Sequence, residues 1–155
     1  MNLFFGEEMN VVMLYWSHFG NGKRIIECLD KTLTDKKVST EVIQIDDANP
    51  QTLPKADVYV FSAPAEAFSI ARPMKSFMKK LEGMDGAKYG IINTHGMKRN
   101  WLGTMEKILS KKQMMKVAAL DFRIEGDAKT GNALPHGWED EVKSFAELLH
   151  NPKDT

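Results

Sequence analysis

The chain alternates between two kinds of hydrophobic pattern. Short apolar runs, rich in β-branched and aromatic residues, occur at residues 11–15, 41–45, 58–61, 89–92 and 117–122. Between them, apolar residues recur every three or four positions at 21–33, 73–81, 101–109 and 138–149. Apolar runs are typical of strands buried on both faces, and the three-to-four spacing is typical of amphipathic helices. The pattern therefore predicts five strands and four helices.

Strands that alternate with helices favour an α/β, doubly wound architecture: one domain with a five-stranded parallel sheet and helices on both faces. The segment 46–57 holds Pro50 and Pro54, which leaves room for one helical turn at most. In such sheets ligands bind at the carboxyl ends of the strands, where the strand order reverses. The loops at 17–23, 62–71 and 93–100 are therefore the candidate site.

The composition is that of an ordinary globular protein of 155 residues, 43% hydrophobic and 27% charged. The 21 Lys and Arg equal the 21 Asp and Glu in number, so no net charge points to nucleic acid. The single Cys28 excludes an internal disulfide, and no apolar run is long enough to predict a membrane span. The first residues lack the features of a signal peptide, which favours the cytoplasm. We expect an N-terminal extension at 1–8, a domain at 9–150 and a tail at 151–155.

The sequence SHFGNGK, residues 17–23, joins the first strand to the first helix. A P-loop, G-x-x-x-x-G-K-[ST], would need glycine at Ser17 and a hydroxyl residue at Arg24. A dinucleotide-binding G-x-G-x-x-G that starts at Gly20 would need glycine at Ile25. Two interpretations remain. Backbone N–H groups at the helix start bind a phosphate, or the loop is an ordinary strand-to-helix turn.

Four segments in colinear order resemble the flavodoxin family. YWSHFGNGKRI resembles its phosphate loop, and ADVYVFSAPAEAFSIARPMKSFMKKLEG resembles its third strand with the following turn and helix. KYGIINTHGM is similar to its fourth strand and flavin-edge loop, and WEDEVKSFAELL to its last helix. The similarity extends from about residue 9 to residue 149. It implies a flavodoxin-like fold with strand order 2-1-3-4-5 and a non-covalently bound flavin mononucleotide (FMN).

The resemblance also implies where FMN binds, with its phosphate in the loop 17–23 and its ring between the loops 63–70 and 94–101. The implied cofactor-binding residues are Ser17, His18, Phe19, Gly20, Asn21, Gly22, Lys23, Ala63, Pro64, Ala65, Phe68, Thr94, His95, Gly96 and Trp101. The family usually has Thr or Ser where Gly22 stands. Losing one hydrogen bond to a charged group costs about 1.5–3 kcal/mol, or roughly 10- to 150-fold in affinity.

Several of these side chains have a second interpretation. Phe68 has no helical register with its neighbours, which favours contact with the ring. Trp101 begins an apolar helical face, so it suits core packing as well as ring stacking. His18 and His95 are either contacts of the phosphate side and the ring edge or solvated loop residues.

Lys98 and Arg99 lie in the loop that the resemblance places near N1 and O2 of the flavin ring. Positive charge there stabilises the anionic reduced flavin and raises its potential. Flavodoxins that act as low-potential carriers are typically acidic, whereas this chain is neutral. We therefore predict that the protein is not a strongly reducing carrier. The alternative is that both cations point into solvent as a charged turn.

The prediction from the sequence is an FMN-binding redox protein that exchanges electrons with a partner protein or with a small-molecule donor or acceptor. Simple electron transfer needs no catalytic acid or base, so no catalytic residue and no metal ligand is predicted. Two other functions stay open. One is an FMN-dependent oxidoreductase acting on a small molecule or quinone, similar to flavodoxin-type protoporphyrinogen oxidases. The other is a binding or regulatory module that has lost the flavin, which Gly22 leaves open.

Overall fold

A computed structural model describes residues 9–66 and 68–151. The strands are β1 Asn10–Tyr15, β2 Ser39–Gln44, β3 Val58–Glu66, β4 Ser69–Ile70, β5 Lys88–His95 and β6 Met115–Arg123. The helices are α1 Asn21–Asp35, α2 Arg72–Lys79, α3 Leu102–Ser110 and α4 Trp138–His150. The predicted extension at 1–8 and the end of the predicted tail lie outside the described residues.

The five long strands form a parallel sheet in the order β2-β1-β3-β5-β6. This confirms the predicted order 2-1-3-4-5 and the doubly wound α/β class. The order reverses between β1 and β3, because β2 lies on one side of β1 and every later strand lies on the other. The reversal places the carboxyl ends of β1 and β3 side by side at the edge where a ligand is expected.

Helices cover both faces of the sheet, and the alternation of side chains along each strand decides which face each residue meets. In β1, Val11 and Met13 belong to the hydrophobic cluster under α1 and α4, and Val12 and Leu14 to the cluster under α2 and α3. All four side chains are fully buried. Burial on both faces is why β1 reads as a continuous apolar run in the sequence.

Two strands extend into segments that were predicted as loops. The segment 62–66, predicted as loop, continues β3, and Ser69–Ile70 returns antiparallel to it as β4. Thr94 and His95, also predicted in a loop, are the last residues of β5. The cause is pairing between distant segments: Pro64 is opposite Thr94 in the parallel ladder, and Ala65 is opposite Ile70 in the hairpin. Small residues and a proline carry no strand signal of their own.

The connection between β2 and β3 contains a single turn of 3-10 helix, Ile45–Asp47, as the two prolines predict. Within residues 9–66 and 68–151, every helix is too short or too polar to cross a membrane.

Candidate functional site

A cavity of about 220 Å³ opens at the carboxyl edge of the sheet. It lies between the β1–α1 turn, the end of β3, the end of β5 and the loop that follows β6. Its lining residues are Ser17, His18, Phe19, Asn21, Gly22, Pro64, Ala65, Glu66, Thr94, His95, Gly96, Ile124, Gly126 and Ala128. Most come from the three loops that the sequence selected, and they meet where the strand order reverses.

The β1–α1 turn is held in shape by Ser17. Its Oγ accepts hydrogen bonds from the Gly20 N–H at 3.1 Å and from the Lys23 N–H at 3.3 Å. Gly20 precedes α1 at φ +102°, a conformation that glycine adopts without steric cost. Asn21 and Gly22 then form the first turn of α1, where backbone N–H groups have no partner within the helix. No oxygen of the described residues accepts from either N–H group.

Gly22 has room for a side chain. A Cβ at this position would lie 3.5 Å from Ser17 Oγ and 3.9 Å from Ser62 Oγ, which are ordinary contact distances. The backbone of Gly22 is helical and does not require glycine. The absence of a hydroxyl here is therefore a feature of the sequence and not a demand of the fold.

The segment 126–133, which we call the strap, packs against the turn from the β6 side. The Asn21 side chain donates to the Ala128 carbonyl at 3.0 Å and accepts from the Ala133 N–H at 2.9 Å. Gly131, at φ +68°, approaches so closely that a Cβ there would lie 2.5 Å from the Phe19 carbonyl oxygen. The Asn21 side chain therefore fastens the strap, and the backbone N–H of this predicted cofactor-binding residue remains available.

His18 lies in the turn and lines the first cavity. Its ring stacks on Phe19 with centroids 4.0 Å apart, and its Nδ1 lies 3.2 Å from Glu66 Oε2. Glu66, at the tip of the β3–β4 hairpin, was not among the predicted site residues. This contact joins the turn to the hairpin across the mouth of the cavity.

His95 is not a solvated loop residue, because its ring is 4% exposed at the end of β5. Its Nδ1 lies 2.6 Å from the Met97 carbonyl oxygen and its Nε2 lies 2.6 Å from Asp121 Oδ2. A carbonyl oxygen only accepts, so Nδ1 carries the proton in the first of these bonds. His95 thereby fixes the start of the loop after β5 and ties it to β6.

Asn93 fixes the other end of that loop. Its side-chain amide donates to the Ala63 carbonyl at 3.1 Å, and its Oδ1 accepts from the Trp101 N–H at 2.8 Å. Asn93 is fully buried. Together with His95 it holds both ends of the segment between β5 and α3 in place.

A second cavity, of about 210 Å³, adjoins the first and is lined by Ala65, Glu66, Phe68, His95, Gly96, Met97, Arg99 and Trp101. The Arg99 guanidinium lies 4.3 Å from the centre of the Trp101 ring, within cation–π range. Trp101 also packs against the α2–α3 cluster, which confirms the core-packing interpretation, while ring stacking stays a prediction. Phe68 is 73% exposed and has φ +64°, a conformation that costs a bulky residue of order 1–3 kcal/mol.

The structure brings most of the predicted site residues together. Ser17, His18, Phe19, Asn21, Gly22, Pro64, Ala65, Thr94, His95 and Gly96 line the first cavity, and Phe68 and Trp101 line the second. Gly20, Lys23 and Ala63 line neither: Gly20 faces the strap, Lys23 is exposed and Ala63 is buried within β3. Sequence reasoning missed Glu66, Met97, Ile124, Gly126 and Ala128 as lining residues, whereas Arg99 was expected near the ring and lines the second cavity. The glycine-containing stretch after the fifth predicted strand, which leaves the same edge, was the signal that could have found Ile124, Gly126 and Ala128.

Comparison of the sequence with protein-family models and with curated proteins gives no match. Solved structures do match. A flavodoxin from the domain Archaea superposes with a TM-score of 0.73 at 17% identity, over 92% of this chain and 97% of that one. Flavodoxin 1 from Bacillus cereus gives 0.74 at 12% identity, over 94% and 99%. Rubredoxin oxygen:oxidoreductase from Desulfovibrio gigas gives 0.77 at 12% identity, over 94% of this chain and 37% of that one.

The strand order and the site at its reversal define an open, doubly wound α/β protein of the kind that binds ligands at the carboxyl edge of its sheet. The structural matches make this class specific: the chain has the flavodoxin-like fold, as the resemblance predicted. The match covers nearly all of the archaeal flavodoxin chain and about a third of the Desulfovibrio gigas chain.

Proposed function

We propose that the protein binds FMN non-covalently and transfers electrons. The observation that carries this proposal is the convergence of three segments at the reversal of strand order: the β1–α1 turn, the β3–β4 hairpin and the loop after β5. Two adjoining cavities of about 220 and 210 Å³ lie there and share four lining residues. Ligand pockets typically enclose about 300–1,000 Å³, so the two cavities together suit a molecule with separate phosphate and ring parts.

The phosphate of FMN binds at the first turn of α1. The N–H groups of Asn21 and Gly22 donate to its oxygens, and the partial positive charge of the helix start favours the anion. Ser17 holds the turn open by accepting from two of the neighbouring N–H groups. The exposed Lys23 follows Gly22 and adds positive charge near this turn, although it does not itself line the cavity.

The flavin ring occupies the second cavity. Phe68 and Trp101 are its aromatic lining residues, on the hairpin and on the loop after β5. Aromatic faces stack favourably on a flat conjugated ring. FMN supplies the redox chemistry, and the residues around it bind, orient and tune it.

Charge around the second cavity bears on the potential of the flavin. Arg99 lines the cavity with its guanidinium 4.3 Å from the centre of the Trp101 ring, so its charge would lie beside the flavin. The Glu66 carboxylate lines the same cavity, with Oε2 3.2 Å from His18 Nδ1. The positive charge of Arg99 therefore supports the prediction that the flavin potential is not strongly reducing. A two-electron potential well below that of free FMN would refute this part.

An FMN titration of the apoprotein, followed by the quenching of flavin fluorescence, tests the proposal. Saturable binding with a dissociation constant at or below about 1 μM supports it, since this corresponds to roughly 8 kcal/mol. Absence of binding at about 100 μM FMN refutes it and favours a flavin-free binding module of the same fold. Turnover of a quinone by the FMN-loaded protein would favour the oxidoreductase alternative.

A further inference from the structure

Charge is distributed unevenly on the two sides of the candidate site. The segments 68–80 and 96–105, which flank the second cavity, contain six Lys and Arg and no Asp or Glu. The segment 125–141, on the β6 side of the first cavity, contains five Asp and Glu and one Lys. The overall equality of 21 positive and 21 negative residues therefore hides a separation of charge across the site.

Four cations of the positive side, which we call the cationic rim, lie next to the site: Arg72, Lys75, Lys98 and Arg99. Arg72 and Lys75, at the start of α2, line a shallow cavity of about 540 Å³ that meets the second cavity at Glu66. Arg72, Lys98 and Arg99 are exposed, and Lys75 is half-buried with its Nζ 3.3 Å from Ser69 Oγ. Arg72 and Lys98 have no carboxylate partner among the described residues.

The rim surrounds apolar side chains. Phe68 is 73% exposed and Met97 is 62% exposed, more than any other large hydrophobic residue that the structure describes. Protein interfaces typically have an apolar centre with aromatic residues and methionine and a polar, charged periphery. An interface of this composition requires a partner that supplies the complementary charge.

We propose that the cationic rim docks a protein with an acidic surface, which seats against Phe68 and Met97 beside the ring site. The inference rests on the proposed function in one respect, since an electron-transfer protein needs a partner at its flavin. The acidic segment 125–141 orients that partner, because its carboxylates would repel the partner's acidic surface if the partner bound on the β6 side of the site. The partner thus approaches from the α2 and α3 side of the site.

Two small electron carriers of opposite charge serve as probes: a plant-type [2Fe–2S] ferredoxin, which is acidic, and cytochrome c, which is basic. Each is titrated into the ¹⁵N-labelled protein with and without FMN, and amide signals are followed. We expect ferredoxin to bind more tightly, with changes concentrated at 68–75 and 97–101, and to weaken as salt is added. Changes spread over the whole surface, or cytochrome c bound at the rim, would overturn the proposal.

Charge reversal provides the matched comparison. The variant Arg72→Glu/Lys75→Glu should bind ferredoxin on the order of tenfold more weakly. Both substitutions lie in the first turn of α2, where acidic residues are favoured, so folding is not threatened. The control Lys31→Glu/Lys143→Glu makes the same change in net charge on α1 and α4 and should leave affinity nearly unchanged. Equal weakening by both variants would overturn the proposal.

Failure of the proposed function can be told apart from failure of this inference. If the proposed function is wrong, the FMN titration shows no binding, whatever the ferredoxin titration shows. Docking is read from the apoprotein as well, so a chain that binds ferredoxin at the rim but does not bind FMN keeps the interface and loses the redox assignment. A protein that binds FMN but does not bind ferredoxin keeps the redox assignment and loses the proposed interface.

Discussion

Replacing Gly22 with serine should tighten FMN binding. The backbone N–H of Gly22 belongs to the first turn of α1, and a Cβ there would meet Ser17 Oγ at 3.5 Å, an ordinary contact. The added hydroxyl can donate to the phosphate. A hydrogen bond to a charged group contributes about 1.5–3 kcal/mol, which corresponds to roughly 10- to 150-fold in the dissociation constant. Serine also favours a helix over glycine by about 0.5 kcal/mol, so stability should not fall.

The assay is FMN titration of the wild type and the variant side by side, with thermal unfolding of both apoproteins. Gly103 provides the control, because it is the second residue of α3 as Gly22 is of α1, and a Cβ there has nothing within 4 Å. Gly103→Ser should leave the FMN affinity unchanged. If Gly22→Ser folds normally and its affinity does not rise, the phosphate does not bind at this turn.

Three further predictions concern the strap and the core. Asn21→Ala removes two hydrogen bonds and leaves the Ala133 N–H without a partner, so the free energy of unfolding in urea should fall by about 1–3 kcal/mol; an unchanged value would contradict this. Gly131→Ala places a Cβ 2.5 Å from a carbonyl oxygen of the β1–α1 turn, so amide hydrogen exchange across 126–133 should quicken more than in Gly126→Ala, which has positive φ but open space. Burial, with a smaller effect from a nearby carboxylate, raises the pKa of Tyr89 from 10.0 to about 12. As the pH rises, Tyr89 ionises in the unfolded chain before it ionises in the folded protein. The free energy of unfolding is therefore unaffected by Tyr89 below pH 10 and falls by up to roughly 3 kcal/mol between pH 10 and about pH 12. Tyr89→Phe should remove that part of the alkaline loss measured by urea unfolding, and an identical pH profile would contradict the assignment.

The central strands and the helices could be predicted because their signals are local. A strand covered on both faces, such as β1, is apolar at successive positions, and a helix shows its buried stripe every three or four residues. The ends of β3 and β5 could not be predicted in this way. Pro64 and Thr94 are in strands because they face each other in the ladder, a relation that is absent from either segment alone.

In the candidate site, too, the features made by neighbouring residues were predicted and those made by residues distant in the sequence were not. The turn at 17–23 was found because its glycines and the following helix are contiguous in the sequence. The strap was missed because Asn21 holds it through residues that follow it by 107 and 112 positions. The bond from His95 to Asp121 likewise spans 26 positions, and it changes a loop histidine into a buried, fixed one.

The net charge of the chain does not tell where its charged residues lie on the surface. The equality of positive and negative residues gave no argument for nucleic acid, and it carried no information about where on the surface the charges lie. The fold separates those charges, because α2 and the loop after β5 lie on one side of the site and the segment after β6 lies on the other. A molecule without net charge exerts little attraction beyond the Debye length of about 8 Å in physiological salt. The asymmetry can therefore act only once a partner is close, where it selects an orientation more than it accelerates encounter.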